Sequence, residues 1–358
     1  MKKILLILVG GTICSAVNGK GMLAVSEGAG VQIKTNFEKS DSYYADKAEI
    51  ELSENLLILS ENMTVGKWNL MIDAYRKYTR EKRYDGVIFA HGTDTLAYSA
   101  ALFSMILSNT DVPVFFVSAN ENLDSKRSNG NDNFRNAVEC ICRGIEPNVY
   151  VVYRNLSDGQ TYLHLASRIE QCRNYSEDFY SAGMMNITGI LEDNFEEYFD
   201  RIKREYPKEK RRSFIDVYGD WQLEGRVLVI FPYVGIDYEA FDYGRFSAVL
   251  HGTYHSGTAC AESGENYGKS SILYMIDKCA ERGVDTYFSP SKLTGEVYET
   301  MGIIGEHTAP KNYKIKFLYG CTTEAAYAKL VLAYSVFKDK SEIAKFIDTE
   351  CNFENIVK

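Results

Sequence analysis

Two short stretches of this 358-residue chain each end in a glycine turn that presents polar groups able to meet a ligand. One is Gly10-Gly11-Thr12-Ile13, and the other is His91-Gly92-Thr93-Asp94-Thr95. Each presents a threonine hydroxyl, which both donates and accepts hydrogen bonds. A carboxylate next to it can hold a cationic group through charge-assisted hydrogen bonds. The glycines permit a tight turn before each threonine. A plainer reading stands beside this one: Thr93, Asp94 and Thr95 are all good helix caps.

The elements around them favour a shared site. Residues 4–9 and 87–90 are short apolar runs, as expected for strands covered on both faces. After Thr95, Leu96, Ala100, Phe103 and Leu107 recur at helical spacing. A loop between such a strand and helix lies at the carboxyl end of the strand, where open α/β sheets bind ligands. Two strand ends that each present a threonine therefore predict one polar site at a sheet edge.

The rest of the chain repeats the pattern. Residues 14–30 are rich in glycine and small side chains and read as a mobile loop near the site. Residues 56–59 read as a strand leading into Ser60-Glu61-Asn62-Met63-Thr64, where Thr64 can cap a helix. Trp68, Met71, Ile72 and Tyr75 share one face of that helix, and Arg80, Lys82 and Arg83 suit its dipole at the far end. A strand over 112–117 is followed by Ser118-Ala119-Asn120. Ser128-Asn129-Gly130 opens a helix whose buried face is Phe134, Ala137, Val138 and Ile141, and 149–153 is a further strand. This alternation predicts an α/β protein with a doubly wound, mostly parallel N-terminal sheet and a smaller C-terminal α/β domain. The expected division is a first domain over 1–193, a charged linker over 194–222 and a second domain over 223–358. In the second part, 227–232, 247–250 and 284–288 read as strands, 271–282 as a helix, and Thr322 as the cap of another.

Composition sets outer limits. A hydrophobic fraction of 45% with 25% charged residues suits an ordinary globular chain. The net charge of −9 argues against a nucleic-acid partner, which needs a basic face. The basic run over 201–212 carries no interleaved aromatic platform and reads as solvated. No stretch reaches the roughly 18 apolar residues of a membrane span. Met1-Lys2-Lys3 and the apolar run after it mimic a signal peptide, but the run goes straight into the Gly10-Gly11-Thr12 turn and reads as a strand. The eight scattered cysteines are expected to be reduced thiols in the cytoplasm. His251 and His255 stand four apart in a glycine-rich loop without a nearby carboxylate, so no metal is expected, nor any cofactor.

The two threonine stretches together resemble the paired signatures of the bacterial L-asparaginase/glutaminase family, and the likeness runs over most of the chain. The resemblance implies hydrolysis of the side-chain amide of asparagine, glutamine or a related small molecule. It makes Thr12 the nucleophile, turns Thr93 and backbone N–H groups of the Gly92 turn towards the oxyanion, and assigns Asp94 to the substrate ammonium. Ser60-Glu61 looks like the substrate-binding loop, with Ser60 holding the amino-acid end, and Gly92 and Ser118, in the loop after the next strand, are taken as further substrate-binding residues. Glu61 stands where the family usually has a neutral polar residue. The family also uses a lid tyrosine and a lysine behind the second threonine. Met22 stands near the tyrosine's place, and no lysine occurs between Lys126 and Lys203. Arg168 is the nearest cation in the matching segment and is taken as its counterpart, with Tyr162 and His164 as alternative proton carriers. A homodimer or homotetramer is the family's usual assembly. The alternative is a homologue that binds an amino acid without hydrolysing it. A plain nucleotide-binding module is a weaker third reading, since neither loop has a glycine-rich phosphate-binding pattern.

Overall fold

The computed structural model describes residues 1–17, 19–20, 22–188, 195–263, 268–291 and 298–356. The chain forms two units, one of residues 1–223 with 350–353, the other of residues 224–349 with 354–358. In chain order the first contains β1 (Lys2–Leu8), β2 (Ser15–Val17), β3 (Leu23–Val25), α1 (Ala29–Glu38), β4 (Ala48–Leu52), α2 (Val65–Glu81) and β5 (Gly86–Ala90). It continues with α3 (Leu96–Ile106), β6 (Val114–Val117), α4 (Gly130–Cys142), β7 (Val149–Arg154), β8 (Thr161–Leu165), β9 (Met185–Asn186) and α5 (Phe195–Glu205).

Seven of these strands form one sheet in the order β4-β1-β5-β6-β7-β8-β9. The pairs from β4 to β7 are parallel, and β8 and β9 add antiparallel edges. Every residue of β5 and β6 is buried, which explains their unbroken apolar sequences. The carboxyl ends of β1, β5 and β6 therefore lie side by side, and the loops they release carry Thr12, Thr93 and Ser118.

Three expectations need adjustment. Residues 56–59 are not a strand proper; Ile58 makes a single parallel bridge to Gly10, and the edge strand is β4. In β4 the polar residues Glu49 and Glu51 alternate with Ala48, Ile50 and Leu52, the period-two signal of a half-buried edge. The stretch expected as a linker is folded into the first unit. Phe195, Tyr198, Phe199 and Ile202 recur at helical spacing beneath the charges, and α5 lays them on the core. Arg211 is buried, and its guanidinium donates to Pro147 O at 2.6 Å. Finally, 350–353 belongs to the first unit: the buried Asn352 amide donates to Ser104 Oγ at 2.9 Å and to Asn148 Oδ1 at 2.7 Å.

The second unit contains β10 (Val227–Ile230), β11 (Ala248–His251), α6 (Ile272–Glu281), β12 (Asp285–Ser291), α7 (Glu299–Thr308), β13 (Ile315–Tyr319), α8 (Thr323–Val336) and α9 (Lys340–Asp348). Its four strands are parallel in sequence order. Thr322 caps α8 by accepting from Ala325 N, as its sequence predicts. All eight cysteines are free thiols. Among the described residues no helix is long and apolar enough to cross a membrane.

Candidate active site

Three backbone segments meet at the carboxyl edge of the large sheet. Gly10 and Gly11 take φ values of 140° and 75°, conformations that side chains rarely allow. A methyl group on Gly11 would collide with Gly92 Cα, and one on Gly92 would lie 2.9 Å from Ser60 Oγ and 3.0 Å from Gly11 Cα. These glycines thus let the loops after β1 and β5 touch, with the Ser60 turn against both. Gly11 N donates to Ile58 O at 3.0 Å, which fixes the first loop to the segment before Ser60. Thr12 and Thr93 each follow one of the touching glycines and each begins a short 3₁₀ turn.

The threonines of the second stretch do not act as helix caps. Thr95 precedes α3 but makes no capping bond with its side chain. Its hydroxyl donates to Ser60 O at 3.0 Å, its N–H donates to Ser60 Oγ at 3.1 Å, and the two hydroxyls lie 3.1 Å apart. Ser60 is buried and its hydroxyl is taken up by this brace. The same hydroxyl that the sequence assigns to the substrate thus also holds the Thr93 turn.

His91 is fully buried between strand end and turn. Its Nδ1 lies 2.8 Å from Gly92 O, so this nitrogen carries the proton and donates. Burial lowers the imidazole pKa to about 4, which keeps the ring neutral and makes it a fixed hydrogen-bond donor to its own loop. Ser118 is also fully buried, and its Oγ has no hydrogen-bond partner among the described residues. Asn133 Nδ2 donates to Ser118 O at 2.9 Å and holds that loop in place.

Thr93 and Asp94 line a cavity of about 330 Å³. The opposite walls come from Asn120, Tyr153 and the segment Gln171-Cys172-Arg173-Asn174-Tyr175 with Glu177. Asp94 has its carboxyl pKa raised, first by desolvation and then by the nearby charge of Glu61. Burial pushes the Cys172 thiol up to about 12, aided by Glu177, so it stays protonated.

Arg168 reaches the returning segment 350–353. Its Nε donates to Phe353 O, and its guanidinium lies 5.4 Å from the Tyr206 ring centroid. It is not among the residues lining the cavity at Thr93; the cation there is Arg173. The two differ by five positions, Arg168 closing the 3₁₀ turn after β8 and Arg173 lying beyond it. His164 is fully buried on Ser181 Oγ at 2.9 Å, with its pKa lowered to about 3 by burial. Tyr162 donates to Asp158 Oδ2 at 2.8 Å. Neither lines the cavity. Met22 is 56% exposed. Sequence reasoning misses the segment bearing Gln171 and Arg173; the one signal it carries is a second arginine beyond Arg168.

Known proteins place this geometry in context. Residues 3–201 match the family model described as Asparaginase, N-terminal. A glutamyl-tRNA(Gln) amidotransferase subunit from Methanococcus maripaludis is 29% identical over 367 residues, covering 98% of this chain and 81% of that protein. The thermostable L-asparaginase of Thermococcus kodakarensis superposes with a TM-score of 0.69 at 20% identity, covering 99% of this chain and 100% of that one. L-asparaginase I of Vibrio cholerae gives a TM-score of 0.67 at 20% identity, with 99% of each chain covered. At such identities the two superpositions establish the fold.

Proposed function

Because the chain belongs to the asparaginase family, we propose that it hydrolyses the side-chain amide of a small amino-acid substrate, with Thr12 as nucleophile. The observation that carries this reading is the contact between the two glycine turns, which sets Thr12 and Thr93 one residue each from a shared point. Thr12 Oγ attacks the amide carbon. Backbone N–H groups of the Gly92-Thr93 turn and the Thr93 hydroxyl face the developing oxyanion. The C–N bond breaks, ammonia leaves with a proton, and an ester remains on Thr12. Water then attacks the ester, releases the acid and restores the hydroxyl.

Asp94 takes the substrate ammonium, and its place on the cavity wall beside Thr93 supports this. Asparagine and glutamine are the substrates to compare first. The relatives named above, one an amidotransferase component and two of them L-asparaginases, share chemistry at an amide. The free thiols support a cytoplasmic setting. We place the protein in a homodimer or homotetramer on the family resemblance, to be checked by light scattering of the purified chain.

One observation favours a second reading, a homologue that binds an amino acid without turnover. Among the described residues no lysine lines the cavity at Thr93, and Arg173 there cannot take up a proton. Ammonia release from asparagine and glutamine decides between them. Turnover that disappears in Thr12→Ala supports the hydrolase. Aspartate binding by calorimetry without any ammonia supports the binder.

A further inference from the structure

A second pocket lies at the amino edge of the large sheet, opposite the edge that carries Thr93. It holds about 720 Å³, within the roughly 300–1,000 Å³ of small-molecule sites. Val87, near the start of β5, is on its wall, whereas Gly92 follows the end of that strand. The strand residues between them span roughly 16 Å. Every lining residue belongs to the first unit. One wall is the stretch 213–218, and it is fixed at both ends. Ser108 Oγ donates to Arg212 O at 2.9 Å just before it. At its far end the Thr79 and Tyr218 hydroxyls lie 2.8 Å apart. Arg76 donates there too, from Nε to Val217 O and from Nη2 to Gly219 O at 2.8 Å. The pocket is thus built into the fold and does not depend on a loose loop.

Its lining is aromatic and apolar with a few charges. Tyr75, Tyr84, Val87, Leu107 and Ile215 are all buried, and Tyr218 adds a third ring. The Tyr84 hydroxyl makes no hydrogen bond of good geometry among the described residues, with the Glu51 side chain as a polar neighbour. A buried phenol in that state keeps the cost of its lost hydration, which a ligand oxygen would relieve. Three of the charged groups on the wall are already compensated. Lys82 pairs with Glu51 at 2.7 Å, Asp85 with Lys2 at 2.9 Å and Asp111 with Lys208 at 2.6 Å. Among the described residues Arg83 and Asp216, both exposed on the rim, form no ion pair. The Asp111 carboxyl pKa is lowered first by its hydrogen bond from Lys208 and last by the more distant charge of Arg83. Asp216 Oδ1 accepts from Tyr218 N at 2.9 Å, which fixes the direction of its side chain.

The pocket therefore keeps one uncompensated charge of each sign beside three tyrosines. A plain cation gains at Asp216 and loses at Arg83, and a plain anion does the reverse. A zwitterion gains at both. We propose that this pocket binds an aromatic α-amino acid, with its ring among Tyr75, Tyr84 and Tyr218, its carboxylate on Arg83 and its ammonium on Asp216. The planar guanidinium matches a carboxylate through two parallel hydrogen bonds. The tyrosines favour an aromatic side chain over an aliphatic one, because rings gain from edge and offset contacts beyond the area they bury. No side-chain amide is needed, so the ligand is distinct from a substrate at Thr93. The pocket binds it whether or not Thr12 hydrolyses an amide.

Calorimetry on the full chain tests this with L-tryptophan, tryptamine, which lacks the carboxylate, and indole-3-propionate, which lacks the ammonium. The wild type should bind tryptophan at least tenfold tighter than either analogue, and saturating aspartate should change that affinity by less than twofold. Arg83→Ala should remove the advantage over tryptamine, and Asp216→Asn the advantage over indole-3-propionate. Both side chains are exposed, and circular dichroism melts check that the two variants fold like the wild type. Ile215→Trp, which fills the pocket, should abolish binding. Any ammonia release by the wild type should persist within twofold in Arg83→Ala and Asp216→Asn, since neither residue lines the cavity at Thr93. Three results overturn the assignment: no tryptophan binding at millimolar concentration, displacement of tryptophan by aspartate, or an unchanged tryptophan-to-tryptamine ratio in Arg83→Ala.

Discussion

The tripeptide His-Gly-Thr ends a parallel strand in each unit, at His91-Gly92-Thr93 after β5 and at His251-Gly252-Thr253 where β11 closes. Both histidines are fully buried, and burial lowers each pKa to about 4. The neighbours separate the two. Around Gly92, two further backbone turns press close, and Thr93 opens onto a cavity beside Asp94. At Gly252 the nearest obstacle to a side chain is Phe231 Cδ1 at 2.6 Å, and Thr253 Oγ1 donates to Pro290 O at 2.6 Å. His251 differs too, with Nε2 lying 2.8 Å from the Tyr238 hydroxyl. The same local sequence builds the same strand end twice. The converging loops of the first unit leave its threonine on a cavity wall, whereas Thr253 is bonded to backbone.

The sharpest break of this comparison is at the glycines. Gly11→Ala must adopt a left-handed φ, which costs about 1–2 kcal/mol, and its methyl meets backbone, which adds roughly 1–3 kcal/mol of overpacking. We expect a melting temperature lower by many degrees and no measurable amidase. Gly252→Ala clashes with the ring of Phe231, which is 51% exposed and able to turn aside, and meets Ile230 O at an ordinary 3.5 Å, so its cost should stay below about 1 kcal/mol. Equal destabilisation of the two variants would show that the loop contact at Gly11 is not special.

Removing hydroxyls probes the same contrast through activity. Thr93→Ala should lower kcat/KM by about 10²–10³, as loss of an oxyanion donor typically does, with little change in stability. Thr253→Ala should lose about 1 kcal/mol of stability with its hydrogen bond and keep full turnover. Exchange of these two phenotypes would reverse the assignment of roles.

The buried histidines predict a pH effect shared by both units. In the unfolded chain an imidazole titrates near 6.5, whereas His91 and His251 titrate at about 4 when folded. The unfolded state therefore binds more protons between these values. Stability is complete above about pH 6.5 and falls as pH drops towards 4, by up to about 3 kcal/mol for each fully buried ring. Chemical denaturation at stepped pH measures this. A His91→Gln variant should show a shallower slope, and an unaltered slope would mean that the ring is not held neutral by burial.

The smallest effect concerns Glu61. Its charge is the second cause of the raised Asp94 pKa, so Glu61→Gln should move the acid limb of the KM profile to lower pH. Desolvation, the first cause, remains. An acid limb that stays in place would separate Asp94 from Glu61.

Much of this site is legible in the sequence. A glycine turn after a buried apolar run is a local signal, so Thr12, Thr93 and Asp94 can be named from their neighbours along the chain. Helix faces such as Trp68, Met71, Ile72 and Tyr75 are readable for the same reason, and α2 buries all four. The cavity's far wall is not. Its loop is shaped by Asp178 and Asn155 acting across the end of β7, contacts between residues more than twenty positions apart. The bond from Arg168 Nε to Phe353 O, in the returning segment 350–353, is equally hidden from a count along the chain. The brace at Ser60 is hidden for a related reason, since its partner Thr95 lies thirty-five residues away.

The central claim is that Thr12 attacks an amide carbon. Purified protein mixed with asparagine or glutamine, quenched in acid within a turnover and digested, can be read by mass spectrometry. The account predicts an acyl ester on the peptide carrying Thr12, formed with release of ammonia and absent in Thr12→Ala. Ammonia release that persists in Thr12→Ala, with no adduct on that peptide in the wild type, would contradict it.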